Sequence, residues 1–116
     1  MTRGKIVLVP FPFDDLTASK VRPAVCLTDP IGSHRHVVLA FISSQMPLDI
    51  AATDVLLDPQ RHDFGAIGWR VASVLRLHRL VTIATALIRR DMGKLSQSWQ
   101  HEVDRKLALL FGLNAS

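Results

Sequence analysis

Residues 36–42 read His36-Val37-Val38-Leu39-Ala40-Phe41-Ile42. After His36 the run is apolar without alternation, too short for a core helix and too β-branched to prefer one. It reads as a strand, and its lack of a polar face asks for cover on both sides. Two upstream runs share this character: Lys5-Ile6-Val7-Leu8-Val9 and Pro23-Ala24-Val25-Cys26-Leu27-Thr28. Side chains of three such strands cannot all be placed on one core, so burial on both faces of a sheet is expected. Pro10 and Pro12 end the first ladder, since neither donates a backbone hydrogen bond. Asp14, Asp15, Thr17 and Ser19 then form a polar loop, and Asp29-Pro30 with Gly32 closes the second strand.

Downstream, 53–57 (TDVLL) reads as a short strand and 58–68, with Pro59, Gly65 and Gly68, as a loop. Segments 71–77 and 80–84 are strand-like, either one long bent strand or two joined at His78-Arg79. Arg89, Arg90, Asp91 and Gly93 mark a turn. A long helical pattern appears only at the end, where Trp99, Val103, Leu107, Leu110 and Phe111 make one stripe with a period near 3.6. Ser96 or Ser98 could cap its start and Gly112 its end, giving a helix over 96–112 packed on the sheet or at a dimer interface. Many short strands, no alternation of strand and helix, and one terminal helix argue for a mainly β fold, a small antiparallel barrel in a single domain spanning 1–116.

The whole chain has 116 residues, 48% hydrophobic and 21% charged, which is enough for one packed domain. The apolar run Ile6–Phe13 is far short of the ~20 residues of a spanning helix, so a cytoplasmic protein is expected. No GxGxxG, GxxxxGK[ST] or HExxH pattern occurs, and a single cysteine, Cys26, leaves no internal disulfide and no thiolate zinc site. The net charge is +4, and Arg61, Arg70, Arg76, Arg79, Arg89 and Arg90 face only Asp63 between residues 61 and 90. Gathered on one side, such a run would make a phosphate-binding face.

Few side chains could do chemistry. Arg22, at the start of the second strand, offers a permanently charged planar fork suited to phosphate, or is simply solvated there. Ser43 and Ser44 follow the strand 36–42, where a hydroxyl can reach a phosphate oxygen or merely shape a turn; Gln45 supports that turn or meets a base edge. In a strand His34 and His36 would share a face, but Gly32-Ser33 suggests a loop and no third ligand stands nearby, so no metal site is assigned. Trp69 beside Arg70 pairs an aromatic with a cation that could stack a base or plug the barrel. Cys26, inside an apolar strand, reads as a small core residue.

In their order, several segments resemble the PemK/MazF family of toxins from bacterial toxin–antitoxin pairs. Arg3-Gly4-Lys5-Ile6-Val7 is similar to the family's RGD opening, with Lys5 in place of the acidic residue. Pro10-Phe11-Pro12-Phe13-Asp14-Asp15-Leu16-Thr17 is similar to PFPFTDLT, Arg22-Pro23-Ala24-Val25-Cys26-Leu27 to the RPAVVL strand, and Phe41-Ile42-Ser43-Ser44-Gln45 to the TSQ-like turn. Ser73–Leu77 with Leu80–Ile83, and Leu87–Leu95, fit the later strands and the connection into the last helix. Serine replaces the commoner threonine at position 43, and 17–21 is shorter than the usual Gly-rich loop.

The resemblance implies an SH3-like barrel, usually a homodimer. It implies a metal-independent, cofactor-free endoribonuclease that cuts single-stranded RNA, often mRNA, at short sequences. It also implies a cognate antitoxin covering the RNA groove. The family's catalytic pair falls on Arg22 and Ser43. The groove contacts assigned with it are Ser44, Gln45, Lys20, Trp69, Arg70, Arg76 and Arg79, and Asp15 or His36 is the nearest candidate for a general base. The rival reading is a non-catalytic SH3-like barrel that binds RNA or protein, including a toxin aimed at a topoisomerase.

Overall fold

The computed structural model describes residues 2–10, 21–58 and 71–113. Six strands form one sheet: β1 Lys5–Pro10, β2 Val21–Cys26, β3 His36–Ser43, β4 Asp54–Leu57, β5 Ser73–Ala84 and β6 Arg90–Lys94. Their order is β4-β5-β3-β2-β1-β6, and every neighbouring pair is antiparallel. The sheet curls into a half-barrel, and a C-terminal α-helix, α1 Gln97–Leu110, follows it. No helix among the described residues is long and apolar enough to cross a membrane.

The unalternated strands are explained by two cores on opposite faces of the sheet. On one face Ile6, Val25, Leu27, Ala40, Ile42, Leu75 and Leu77 pack against Trp99 and Val103 of α1, with Leu107 and Leu110 at the margin. On the other face Val7, Val9, Ala24, Cys26, Val37, Leu39 and Ile83 form a second cluster, flanked by Phe41 and Val81. The two-sided cover expected for the 36–42 strand is therefore present: Val37, Leu39, Ala40 and Ile42 are all buried, pointing alternately to the two cores.

The helix follows the apolar stripe. Ser96, rather than Ser98, is the N-cap, its Oγ accepting the Trp99 N–H at 3.3 Å. At the other end Gly112 takes φ +68, and the Gly112 and Leu113 N–H groups donate to the Leu109 and Ala108 carbonyls, the paired bonds of a Schellman stop. The N-terminus is tied to this helix by the Arg3–Asp104 ion pair at 2.9 Å. Between them Gly4, at φ +91, lies so close that an added Cβ would stand 2.6 Å from Gln100 Oε1. Lys5, in place of the acidic residue of the RGD opening, pairs with Asp91 at 3.0 Å.

Two readings from sequence are corrected or resolved. The turn expected at Arg89–Gly93 is the edge strand β6; pairing with β1 overrides the turn-rich composition, and Met92 is the extra residue of a bulge between Ile6↔Gly93 and Val7↔Asp91. Segments 71–77 and 80–84 are one strand, β5, of 12 residues. It is not regular: Ala40 pairs with Leu80 and Ile42 with Leu75, so on the β3 side residues 76–79 stand against Phe41 alone.

Candidate RNA-binding cleft

The site begins where β2 and β3 part. The Leu27 N–H donates to the Val38 carbonyl, so Leu27, Val25 and Pro23 turn their backbone groups toward β3. Pro23 has no N–H to give, and the β2–β3 ladder stops at Ala24↔Phe41. Continuing that register by two residues brings Arg22 opposite Ser43. Neither drifts, because each is anchored on its other side: Arg22 pairs with Val9 of β1, and Ser43 with Val74 of β5. A proline thus leaves a gap in the sheet with an arginine and a serine at its two lips.

The gap is a cleft of about 370 Å³ lined by Arg22, Phe41, Ile42, Ser43, Gln45, Met46, Pro47, Arg76, Arg79 and Val81. A smaller hollow of about 230 Å³ adjoins it, sharing Arg22 and Ser43 and adding Pro23 and Ser44. By strand alternation Arg22, Ser43 and Arg79 lie on the face of the Val7–Val37–Ile83 core, opposite the helix. The irregularity at 76–79 delivers Arg76 and Arg79 to the same cleft, the service bulges commonly perform beside functional sites. Phe41, the residue facing that irregularity, forms part of the apolar wall.

Three guanidinium groups and no carboxylate line the cleft among the described residues. Such a surface favours an anion with several acceptor oxygens. The Ser43 Oγ accepts the Gln45 N–H at 3.1 Å, which occupies a lone pair and leaves the hydroxyl proton to be donated elsewhere. Arg76 is held from behind: its Nε donates to Asp54 Oδ1 at 3.2 Å and its Nη2 to the Asp49 carbonyl at 3.4 Å.

Of the residues singled out from sequence, the structure brings together Arg22, Ser43, Ser44, Gln45, Arg76 and Arg79. Lys20, Asp15, Trp69 and Arg70 lie outside the described residues. His36 is not part of the cleft: it pairs with Ala84 at the opposite end of β3. Seven strand steps of ~3.3 Å separate it from Ser43, about 23 Å, too far for a base serving a phosphate held at Arg22. The His34 and His36 rings lie 5.8 Å apart and tilted by 46°, and no third His, Cys, Asp or Glu among the described residues joins them. The basic run of 61–90 is divided, since Arg90 lies on β6 at the far edge of the sheet and neither it nor Arg89 lines the cleft. Sequence reasoning missed Phe41, Met46, Pro47 and Val81 as walls; their only signal was closeness in the chain to Ser43 and Arg79.

The fold recurs in solved toxins. The Mycobacterium tuberculosis toxin MazF-mt6 superposes with a TM-score of 0.68 at 22% identity, covering 95% of this chain and 98% of its own. An endoribonuclease in complex with its cognate antitoxin, from a mycobacterial species, gives 0.72 at 12% identity over 100% and 99%. The MazE–MazF complex of Deinococcus radiodurans gives 0.69 at 17% identity over 98% and 97%. No curated protein sequence matches the chain. The sequence pattern of the PemK-like, MazF-like toxins matches residues 2–111, from before β1 to the end of α1, and the chain therefore belongs to this toxin family of type II toxin–antitoxin systems.

Proposed function

We propose that the protein is the toxin of such a pair and a metal-independent endoribonuclease acting on single-stranded RNA. The reading is carried by Arg22 and Ser43 lining one cleft together with two further arginines. In the proposed reaction the substrate's own 2′-hydroxyl attacks the adjacent phosphorus. The 2′-O–P bond forms, the P–O5′ bond breaks, and the products carry a 2′,3′-cyclic phosphate and a 5′-hydroxyl. Arg22 neutralises charge on the phosphorane and donates toward the leaving oxygen, and Ser43 donates to a non-bridging oxygen. A fixed guanidinium supplies the charge that a metal would otherwise bring. Asp15 is the proposed acceptor of the 2′-proton, with His36 set aside by its distance.

The antitoxin of the pair is proposed to cover the same cleft. Its rim supports this: Met46, Leu48 and Ile50 are exposed apolar side chains following directly on Gln45, and Leu48 is wholly exposed. A segment carrying both acidic and apolar side chains would match the arginines and this rim together. A homodimer is proposed for the working toxin, to be read by sedimentation.

The test is incubation of purified protein with single-stranded RNA in EDTA, followed by sequencing of the ends. Wild type yields 5′-hydroxyl fragments, Arg22→Ala and Ser43→Ala yield few, and DNA of the same sequence stays whole because it lacks the nucleophile. RNA bound but left whole at high protein concentration would mark a binder rather than a nuclease.

A further inference from the structure

Asp54 is the only charged side chain in the described core, with 0% of its side chain exposed. A carboxylate so buried is costly unless each oxygen is satisfied. Here Oδ1 takes the Arg76 Nε–H and Oδ2 takes the Ala51 N–H at 2.8 Å, while the Asp54 N–H returns to the Ala51 carbonyl at 3.0 Å. The Asp54 carbonyl accepts from Lys106 of α1, which also pairs with Glu102 at 3.3 Å. Asp54 and Arg76 are direct cross-strand partners in the β4–β5 ladder. Besides the guanidinium, the Ala51 N–H holds the carboxylate, while Lys106 and the β5 pairing hold the Asp54 backbone.

An arginine fork has five N–H donors. Among the described residues, its bonds to Asp54 and to the Asp49 carbonyl use one on Nε and one on Nη2, and Arg76 also lines the cleft. The Asp49 bond ties residue 49 to β5, and the Ala51 N–H to Asp54 Oδ2 ties residue 51 to β4. We infer that Asp54 is a positioning residue of the cleft, acting through Arg76 to present a pre-aimed fork to a substrate phosphate. This rests on the RNA reading of the cleft. The fork arrives already oriented, so less rotamer freedom is lost when the phosphate binds.

The experiment measures binding of a short, fully 2′-O-methylated single-stranded RNA of mixed sequence, which cannot be cleaved, by fluorescence anisotropy. Arg76→Lys keeps a cation beside Asp54 and so protects the fold, but it removes the planar fork. Its affinity is expected to fall roughly tenfold, the worth of a charge-assisted hydrogen bond, with little change in melting temperature. Asp54→Asn is expected to weaken binding severalfold in the wild-type background and by less than about twofold in the Arg76→Lys background, because positioning has no effect once the fork is gone. Wild-type affinity in Arg76→Lys, or an equal loss from Asp54→Asn in both backgrounds, overturns the inference, the latter showing a merely structural carboxylate. If Asp54→Asn does not fold, the Arg76→Lys result decides alone. Wild type that binds no RNA overturns the functional reading and this inference together, whereas wild-type binding with an indifferent Arg76→Lys overturns only the inference.

Discussion

The density of arginine in the cleft sets a measurable salt dependence. Three guanidinium groups, Arg22, Arg76 and Arg79, line it. If each neutralises one phosphate of a single strand, the logarithm of the binding constant falls with the logarithm of salt at a slope of about −2.1, from ~0.7 per phosphate. Raising salt fourfold should then weaken binding about 18-fold. Arg22→Ala leaves two such contacts, a slope of about −1.4, and a loss of about sevenfold over the same range. Arg22 is an exposed residue at the strand's start, and its backbone pairing with Val9 is kept in the variant. The assay is anisotropy of the 2′-O-methylated RNA titrated at four salt concentrations, with cleavage of unmodified RNA followed in parallel. A wild-type slope shallower than about −0.7, or an Arg22→Ala slope equal to wild type, would refute the assignment of this cleft to the phosphate backbone.

Three further outcomes follow from the packing. Trp99→Ala, which empties a fully buried site under the helix, should cost ~3–5 kcal/mol in urea unfolding while leaving RNA affinity at low temperature near wild type, since α1 covers the face opposite the cleft. Burial, and then the charge of Asp91, pushes the Cys26 thiol up to about 11, so a thiol-specific reagent at about pH 8 should label the protein only when denaturant is present. The N–H groups of Arg3 and Thr2 hold the Asp29 carboxyl below its ordinary 3.8; a depressed carboxylate stabilises fully above that value and loses its contribution as pH falls through the folded value. The melting temperature of Asp29→Asn should therefore lie below wild type at neutral pH and converge on it in acid, and a gap that persists unchanged at low pH would contradict this.

How much was legible differs from residue to residue. Arg22 and Ser43 could be picked out because an arginine before proline and a hydroxyl after an apolar strand are local signals. That they line one cleft could not be seen, since it depends on how β2 and β3 pair. Asp54 was invisible for the opposite reason. In Thr53-Asp54-Val55 it looks like any polar strand start, and only its cross-strand partner Arg76 and the Ala51 N–H make it a buried charge. Strand β6 was read as a turn because Gly93 and charged neighbours outweigh one methionine locally; its partner β1 lies more than eighty residues earlier. His36 was offered as a base on residue type alone, and a fully extended strand placed it beyond reach.

The burial of both faces of β3 has a consequence for how the chain finds its alignment. In a half-solvated sheet, a one-residue slip turns apolar side chains to water and is rejected at once. Here a slip would still bury apolar groups on either side, so polarity discriminates poorly among alignments. Pro23 supplies the missing discrimination. In the native arrangement its nitrogen points to the β3 side, where the ladder has already ended. After a one-residue slip it would point into the continuous β1–β2 ladder, which runs from Ile6↔Val25 to Pro10↔Val21, and strand a carbonyl acceptor there at a cost of ~1–3 kcal/mol. The residue that opens the cleft thus also acts as a proofreader of strand alignment during folding. Replacing it should show first as heterogeneous refolding kinetics, before any loss in equilibrium stability.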